Sequence, residues 1–269
     1  MHDFMEINEL LSGYLKKVHW AFVGLTHPGN LGAILRALKN TGCTSPILID
    51  PAKDLMVNSQ QVLSRASHAK EYAHDVKLRD LETALEDSRM VVGFTARDRD
   101  IQIPKISFEE TLKSVGESLL RWEDFHVSFV FGCEKSGLSN RELSRCTRMC
   151  TFDLDERYPS LNVSHAALLV AYFTRNAIRK AILRNNNYVQ QQHRQNYSVS
   201  PIKKPACQKT LYSLERSMIQ LGERINFFKQ GNRGNSEIKM RRWIINNKIE
   251  EDDAKLMISF FSEIKKQLH

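Results

Sequence analysis

The apolar positions of this chain change period along its length, and the changes mark out its elements. Val18 to Gly24, Pro46 to Asp50, Met90 to Phe94 and His126 to Phe131 are short runs with little polar alternation, ending in glycine or a polar turn. Such runs predict strands buried on both faces. Tyr72 to Lys77 predicts a weaker strand, and Arg148 to Leu154 another. Between them lie segments of helical character: residues 5 to 17, Leu31 to Thr41, Ser59 to Ala66, Leu81 to Asp87 and Ser107 to Leu120. Strands alternating with helices predict an α/β fold, a mostly parallel sheet with helices on both faces.

Two helical segments carry more than a core needs. From Leu31 to Thr41, the stripe Leu31, Leu35 and Leu38 faces inward, Asn30 is placed to cap the start and Gly42 to end it. Gly32, Ala33 and Arg36 fall on another face, where small residues predict free space for whatever the arginine contacts. The stretch Tyr158 to Phe173, YPSLNVSHAALLVAYF, is apolar nearly all round in its second half, which predicts a buried core helix. Its first half holds Pro159, Ser160, Asn162, Ser164 and His165, more polar groups than one cap requires. In an open parallel sheet, ligands sit beyond the carboxyl ends of the strands. Four such loops carry unusual residues: Thr26 to Arg36, Thr95 to Arg99, Gly132 to Leu138, and Tyr158 to Asn162.

The C-terminal third has a different character. Residues 185 to 208 are polar, poor in aliphatic side chains and hold two prolines, which predicts a linker. Helical periods follow at Leu211 to Lys229, with Leu211, Leu214, Met218, Leu221 and Ile225 as the stripe, and at Glu237 to Asn247. The last, Asp252 to Gln267, carries the stripe Leu256, Phe260, Ile264 and Leu268. The expected organisation is a core domain 1–184, a linker 185–208 and a helical module 209–269. Of a formal net charge of +8, residues 185–269 hold 15 Lys+Arg against 8 Asp+Glu, leaving 24 against 23 for the rest. That asymmetry predicts a polyanionic partner, with a solvated basic face as the alternative. Lys239, Arg241, Arg242 and Lys248 around Trp243 form the candidate RNA-facing patch.

No apolar run approaches the roughly 20 residues needed to span a bilayer, so no membrane association is expected. MHDFMEINEL lacks the features of a signal peptide. The cysteines (Cys43, Cys133, Cys146, Cys150, Cys207) are odd in number and scattered, with no second Cys/His pair to complete a zinc site. A cytoplasmic protein without a metal is the expectation. GxGxxG after the first strand, GxxxxGK[ST], HExxH and GxSxG are all absent, which disfavours dinucleotide, P-loop, metalloprotease and serine-hydrolase chemistry.

Three motifs that are present do carry a resemblance. Asn30-Leu-Gly-Ala-Ile-Leu-Arg36, Phe131-Gly-Cys-Glu134-Lys-Ser-Gly-Leu-Ser-Asn140 and Ser160-Leu-Asn162-Val-Ser-His-Ala166 occur in the order seen in the SpoU-type RNA 2′-O-ribose methyltransferases of the SPOUT superfamily. The resemblance spans roughly residues 18 to 180. Gly93-Phe-Thr-Ala-Arg-Asp-Arg-Asp100 and the helical extension are similar to the TrmH/TrmJ-like subgroup, with Pro159 and His165 as departures in the third motif.

The resemblance implies transfer of a methyl group from S-adenosyl-L-methionine to a ribose 2′-hydroxyl, in tRNA at cytidine or uridine 32 of the anticodon loop. It also implies a homodimer and a C-terminal trefoil knot. By the same resemblance the donor lies against Phe94, Thr95, Ala96, Gly132, Phe152, Pro159, Ser160 and Leu161. Arg36 is the expected catalytic residue, with Asn30, Glu134, Ser160 and Asn162 orienting it, the ribose and the loops. A guanidinium stays protonated, so Arg36 is expected to stabilise charge rather than accept the proton. The alternatives are an rRNA 2′-O-methyltransferase of the same family and a non-catalytic RNA-binding protein on the same fold.

Overall fold

The computed structural model describes residues 2–97, 101, 103–192, 204–228 and 233–268. Its seven strands are β1 (Val18–Val23), β2 (Ile47–Ile49), β3 (Lys77–Arg79), β4 (Met90–Phe94), β5 (Lys105–Ile106), β6 (Val127–Phe131) and β7 (Arg148–Cys150). They form one sheet in the order β3-β2-β1-β6-β4-β7-β5, every pairing parallel. The most apolar runs take the centre: β4 and β6 are buried at every position, whereas β3 at one edge is exposed throughout.

Alternate residues of each central strand serve opposite faces, as the pleat requires. Trp20, Phe22, Phe129 and Phe131 enter a cluster with α1 (His2–Leu15), α2 (Pro28–Asn40), α3 (Gln60–Ala66), α5 (Phe108–Arg121) and α7 (Val163–Gln192). Ala21, Val23, Val91 and Val130 face the other way, against α4 (Leu81–Leu85) and α6 (Asn140–Leu143). Helices therefore cover both faces of an α/β sheet.

Several expectations shift. The strand expected at 72–77 is a 3₁₀ segment, Ser67–Ala73, with Tyr72 donating to the Cys43 carbonyl at 2.9 Å, and the strand itself starts at Lys77. An exposed three-residue edge strand, Lys77-Leu78-Arg79, has no apolar run to announce it. The strand expected at 148–154 stops at Cys150, which frees residues 151–162 to loop over the sheet. The helix expected to be a buried core element is buried on one side alone. Val163, Ala166, Ala167, Val170 and Ala171 face inward, while Leu168, Leu169, Tyr172 and Phe173 are exposed.

α7 continues to Gln192, eight residues into the expected linker, and residues 193–203 of that segment lie outside the described residues, as do Asp98 and Arg99 of the second loop and Lys229 at the end of its helix. The tail helices are α8 (Gln208–Arg224), α9 (Arg233–Asn246) and α10 (Glu251–Gln267). The expected stripe of α10 points outward: Leu256 is 68% and Phe260 56% exposed, whereas Ala254 is fully buried with Met257 and Phe261 packed beside it.

The tail is docked on the core. Ile245 joins the cluster on the α4/α6 face, and the amides of Gln208 and Lys209 donate to the Ser88 and Glu86 carbonyls, each at 2.9 Å. Arg89 reaches Asp124 at 2.9 Å and Glu251 at 2.8 Å. Arg145 pairs with Glu82 and Glu215, and Arg241 pairs with the same Glu215.

Candidate active site

The loops after β1 and β6 meet at one carboxylate. Glu134 accepts hydrogen bonds from the Thr26 amide (3.1 Å), the Thr26 hydroxyl (3.0 Å), the His27 amide (3.0 Å) and the Asn30 side-chain amide (3.0 Å). Partial burial pushes this carboxyl up, but the donors from Asn30, His27 and Thr26 outweigh it and hold the group below the usual carboxylate range. Because a carboxylate only accepts, the NH₂ of Asn30 must face it, which leaves the Asn30 oxygen for Asn162. Asn162 Nδ2 donates there at 3.0 Å, and its own oxygen then takes the Ser164 amide (2.8 Å) and hydroxyl (2.7 Å), capping α7. A single chain of hydrogen bonds, Glu134–Asn30–Asn162–Ser164, thus joins all three sequence motifs.

Asn30 is therefore not the cap of α2. Pro28 occupies the first turn, where its missing N–H costs nothing, and this moves the helix start back to His27. The His27 ring accepts from the Gly29 amide at 3.1 Å. Asn30, set inside the helix, keeps its side chain for Glu134. The sequence singles out the loop from Thr26, but not Thr26 and His27 themselves as site residues; Pro28, which sets the helix start, is the signal that could have found them.

A cavity of about 280 Å³ opens beside this network. Phe94, Thr95, Ala96, Gly132, Phe152, Pro159, Ser160 and Leu161, all expected to hold the donor, line it together with Glu134. Phe94 is sandwiched between Phe131 at 5.0 Å and Phe152 at 5.4 Å, which covers both its faces and leaves the half-buried Phe152 as the outer ring of the stack, while the loop backbones offer polar groups. The turn after β6 requires glycine: a Cβ on Gly132 would lie 2.1 Å from the Gly137 carbonyl carbon and 2.2 Å from the Leu138 nitrogen. An apolar wall closed by Phe152 and Leu161 beside the polar loop backbones suits an adenosine-bearing ligand such as S-adenosylmethionine.

Cys133, at the same wall, is held below the ordinary thiol range by the Ser136 hydroxyl and nearby amides. Ser160 lies exposed at the cavity and Arg36 exposed on α2, outside the lining residues. Arg36 makes no hydrogen bond or ion pair among the described residues. The free space expected above Gly32 is filled by α3: a Cβ there would lie 2.4 Å from the Val62 carbonyl oxygen. Gly32 serves helix packing, and the arginine is free for a different reason, its exposure.

The fold is similar to that of the crystal structure of TrmJ from Z. mobilis ZM4, matched with a TM-score of 0.75 over 92% of this chain and 98% of that one, at 17% identity. The profile of the SpoU rRNA Methylase family matches residues 17–172, and the chain belongs to that family. Relatives similar over nearly full length include the tRNA (cytidine/uridine-2′-O-)-methyltransferase TrmJ of Citrobacter koseri, 27% identical over 256 residues (94% of this chain, 98% of that one). The enzyme of the same name from Pectobacterium atrosepticum is 28% identical over 255 residues (94% and 98%).

Proposed function

We propose that this protein methylates the ribose 2′-hydroxyl of cytidine or uridine 32 in tRNA, using S-adenosylmethionine as donor. The observation that carries this reading is the hydrogen-bond chain that locks all three motif loops beside one cavity. Phe94, Thr95, Ala96, Gly132, Phe152, Pro159, Ser160 and Leu161 would hold the donor, which when bound supplies a methyl group on a sulfonium. Transfer to a hydroxyl is an in-line displacement, so holding the groups in place supplies much of the acceleration. Glu134 accepts from four donor groups and acts as a brace, not a base. Arg36, charged and free, grips the adjacent phosphate and stabilises the oxygen as it loses its proton, which a phosphate oxygen or water accepts.

The tail supports a tRNA substrate over rRNA, since the similar tRNA enzymes extend through it at 94% coverage of this chain. Lys239, Arg242 and Lys248 have no ion pair among the described residues and flank Trp243, which is 49% exposed. Core 1–184 then does the chemistry and 209–269 binds RNA. The exposed Leu168, Leu169, Tyr172 and Phe173 of α7 supply an apolar face for a homodimer. The knot of the family and a cytoplasmic location, consistent with five free cysteines, belong to the same proposal.

The test uses donor with a labelled methyl group and unmodified RNA. Label should enter tRNA and vanish when nucleotide 32 carries a 2′-deoxyribose. Label in rRNA with none in tRNA overturns the substrate assignment. A protein that binds no S-adenosylmethionine by calorimetry is not this enzyme.

A further inference from the structure

The loop after β4 carries an arginine that the mechanism above leaves without a task. Thr95 is 8% exposed, and its hydroxyl accepts from the Arg97 amide at 3.2 Å and donates to the Arg97 carbonyl at 3.3 Å. This local turn fixes where the Arg97 side chain begins. The guanidinium then crosses to the loop after β6 and donates to the Lys135 carbonyl at 3.0 Å. Lys135 sits at the tip of a turn closed by the Gly137 amide on the Cys133 carbonyl, 2.9 Å. β4 and β6 are adjacent strands in register at Phe94 and Phe131, so the two loops leave the sheet side by side, and both line the cavity.

We infer that Arg97 is a positioning residue for the methyl donor, its guanidinium latching these two loops across the mouth of the cavity. The inference rests on the reading of that cavity as the S-adenosylmethionine site. A charge-assisted hydrogen bond to a carbonyl is stronger than a neutral one, so it holds the loops at the separation the ligand needs. Arg97 is exposed, so water competes for the bond and the latch can open for donor exchange. Five donors and a permanent charge let the guanidinium keep Lys135 while other N–H groups stay free at the rim. Lysine could keep the charge and one bond but not the fork.

Donor affinity and dissociation rate, followed by calorimetry and by chase with unlabelled donor, test this in the full chain as wild type, Arg97→Ala and Arg97→Lys. Arg97→Ala should weaken donor binding roughly fivefold, chiefly through faster release, and raise the donor KM to match. The kcat at saturating donor should stay within about twofold, Arg97→Lys should recover part of the loss, and the donor-free thermal midpoint should not move. Unchanged donor affinity with a raised tRNA KM and a shallower salt dependence would show an arginine that serves RNA phosphates, and the inference is then wrong. Failure of the wild type itself to bind donor overturns the underlying reading, and is seen before any substitution is made.

Discussion

Around Glu134 the polar contacts are amide and hydroxyl donors converging on one carboxylate; where the tail meets the core, guanidinium–carboxylate pairs cross the seam, Arg89 to Glu251 and Arg145 to Glu215. The two kinds of contact have different properties. Neutral donors aimed along fixed directions hold backbone segments in place and are little affected by salt. Charge pairs tolerate more displacement and weaken as ionic strength rises wherever water reaches them. The core loops must keep three segments in fixed relation beside the cavity; the tail needs only to stay docked. Arg36 in the core and Arg242 in the tail belong to neither network, and that freedom suits an RNA-facing role.

The largest expected effect is at Arg36. Arg36→Ala should lower turnover by about 10²–10³ while leaving donor affinity near normal, and Arg36→Lys should rescue little. Near-normal turnover in single-turnover assays would remove chemistry from this face of α2. Next comes the brace. Glu134→Ala strips four donors of their acceptor and frees Asn30 and Asn162 to turn. Turnover should fall by roughly 10–100-fold, with a stability loss of about 1–3 kcal/mol by denaturant titration. Equal activity at equal folded fraction would mean that the motif loops hold without it.

In the tail, two adjacent arginines should behave in opposite ways. Lys239→Ala, Arg242→Ala and Lys248→Ala combined should weaken tRNA binding about tenfold and flatten its salt dependence, without change in donor affinity. Arg241→Ala should instead lower the thermal midpoint, because it leaves Glu215 with Arg145 as its one remaining charged partner among the described residues, and should leave the salt slope of tRNA binding alone. Similar salt slopes for the triple variant and wild type would assign RNA binding to the core.

Sequence separates such cases unevenly. The central strands were legible because both faces of each are buried and their apolar runs are unbroken. The cavity loops were legible as motifs, since glycine at 132 and the pairing of Asn30 with Glu134 leave little choice of residue. Arg241 and Arg242 look alike in sequence, and only the position of Glu215 tells them apart. In α10, Leu256 and Phe260 compete with Met257, Ile258 and Phe261 for the inner face, so apolar period alone cannot say which stripe is buried. α7 posed the same problem: a helix apolar all round can be a core helix or one with a second apolar surface left exposed.

The smallest effect concerns acid, and it inverts the intuition that the ion-paired seam should fail first. Burial, the neighbouring His126 and Lys77 lower the pKa of His19 to about 4, against a partial opposing pull from Asp87. An unfolded chain binds a proton at this imidazole near pH 6.5, whereas the folded one does not until about pH 4. Stability contributed by the neutral ring is complete above the higher value and drains away as pH falls between the two. Glu251 at the seam titrates lower still. Burial raises its carboxyl, but the Cys207 amide, Arg89 and Thr210 bring it down to about 2, so its contribution is lost only below about pH 4.5. Mild acid therefore weakens the core before it loosens the tail. From about pH 7 to about pH 5.5 the wild type should lose about 1 kcal/mol through His19, measured by urea denaturation, and His19→Asn should reduce that slope, leaving the part due to His126, whose ring is also held below its ordinary value by burial. Over the same range Glu251→Gln should lower stability by a constant amount and leave the slope as it was. A slope that follows Glu251 instead would place the first acid-labile contact at the seam.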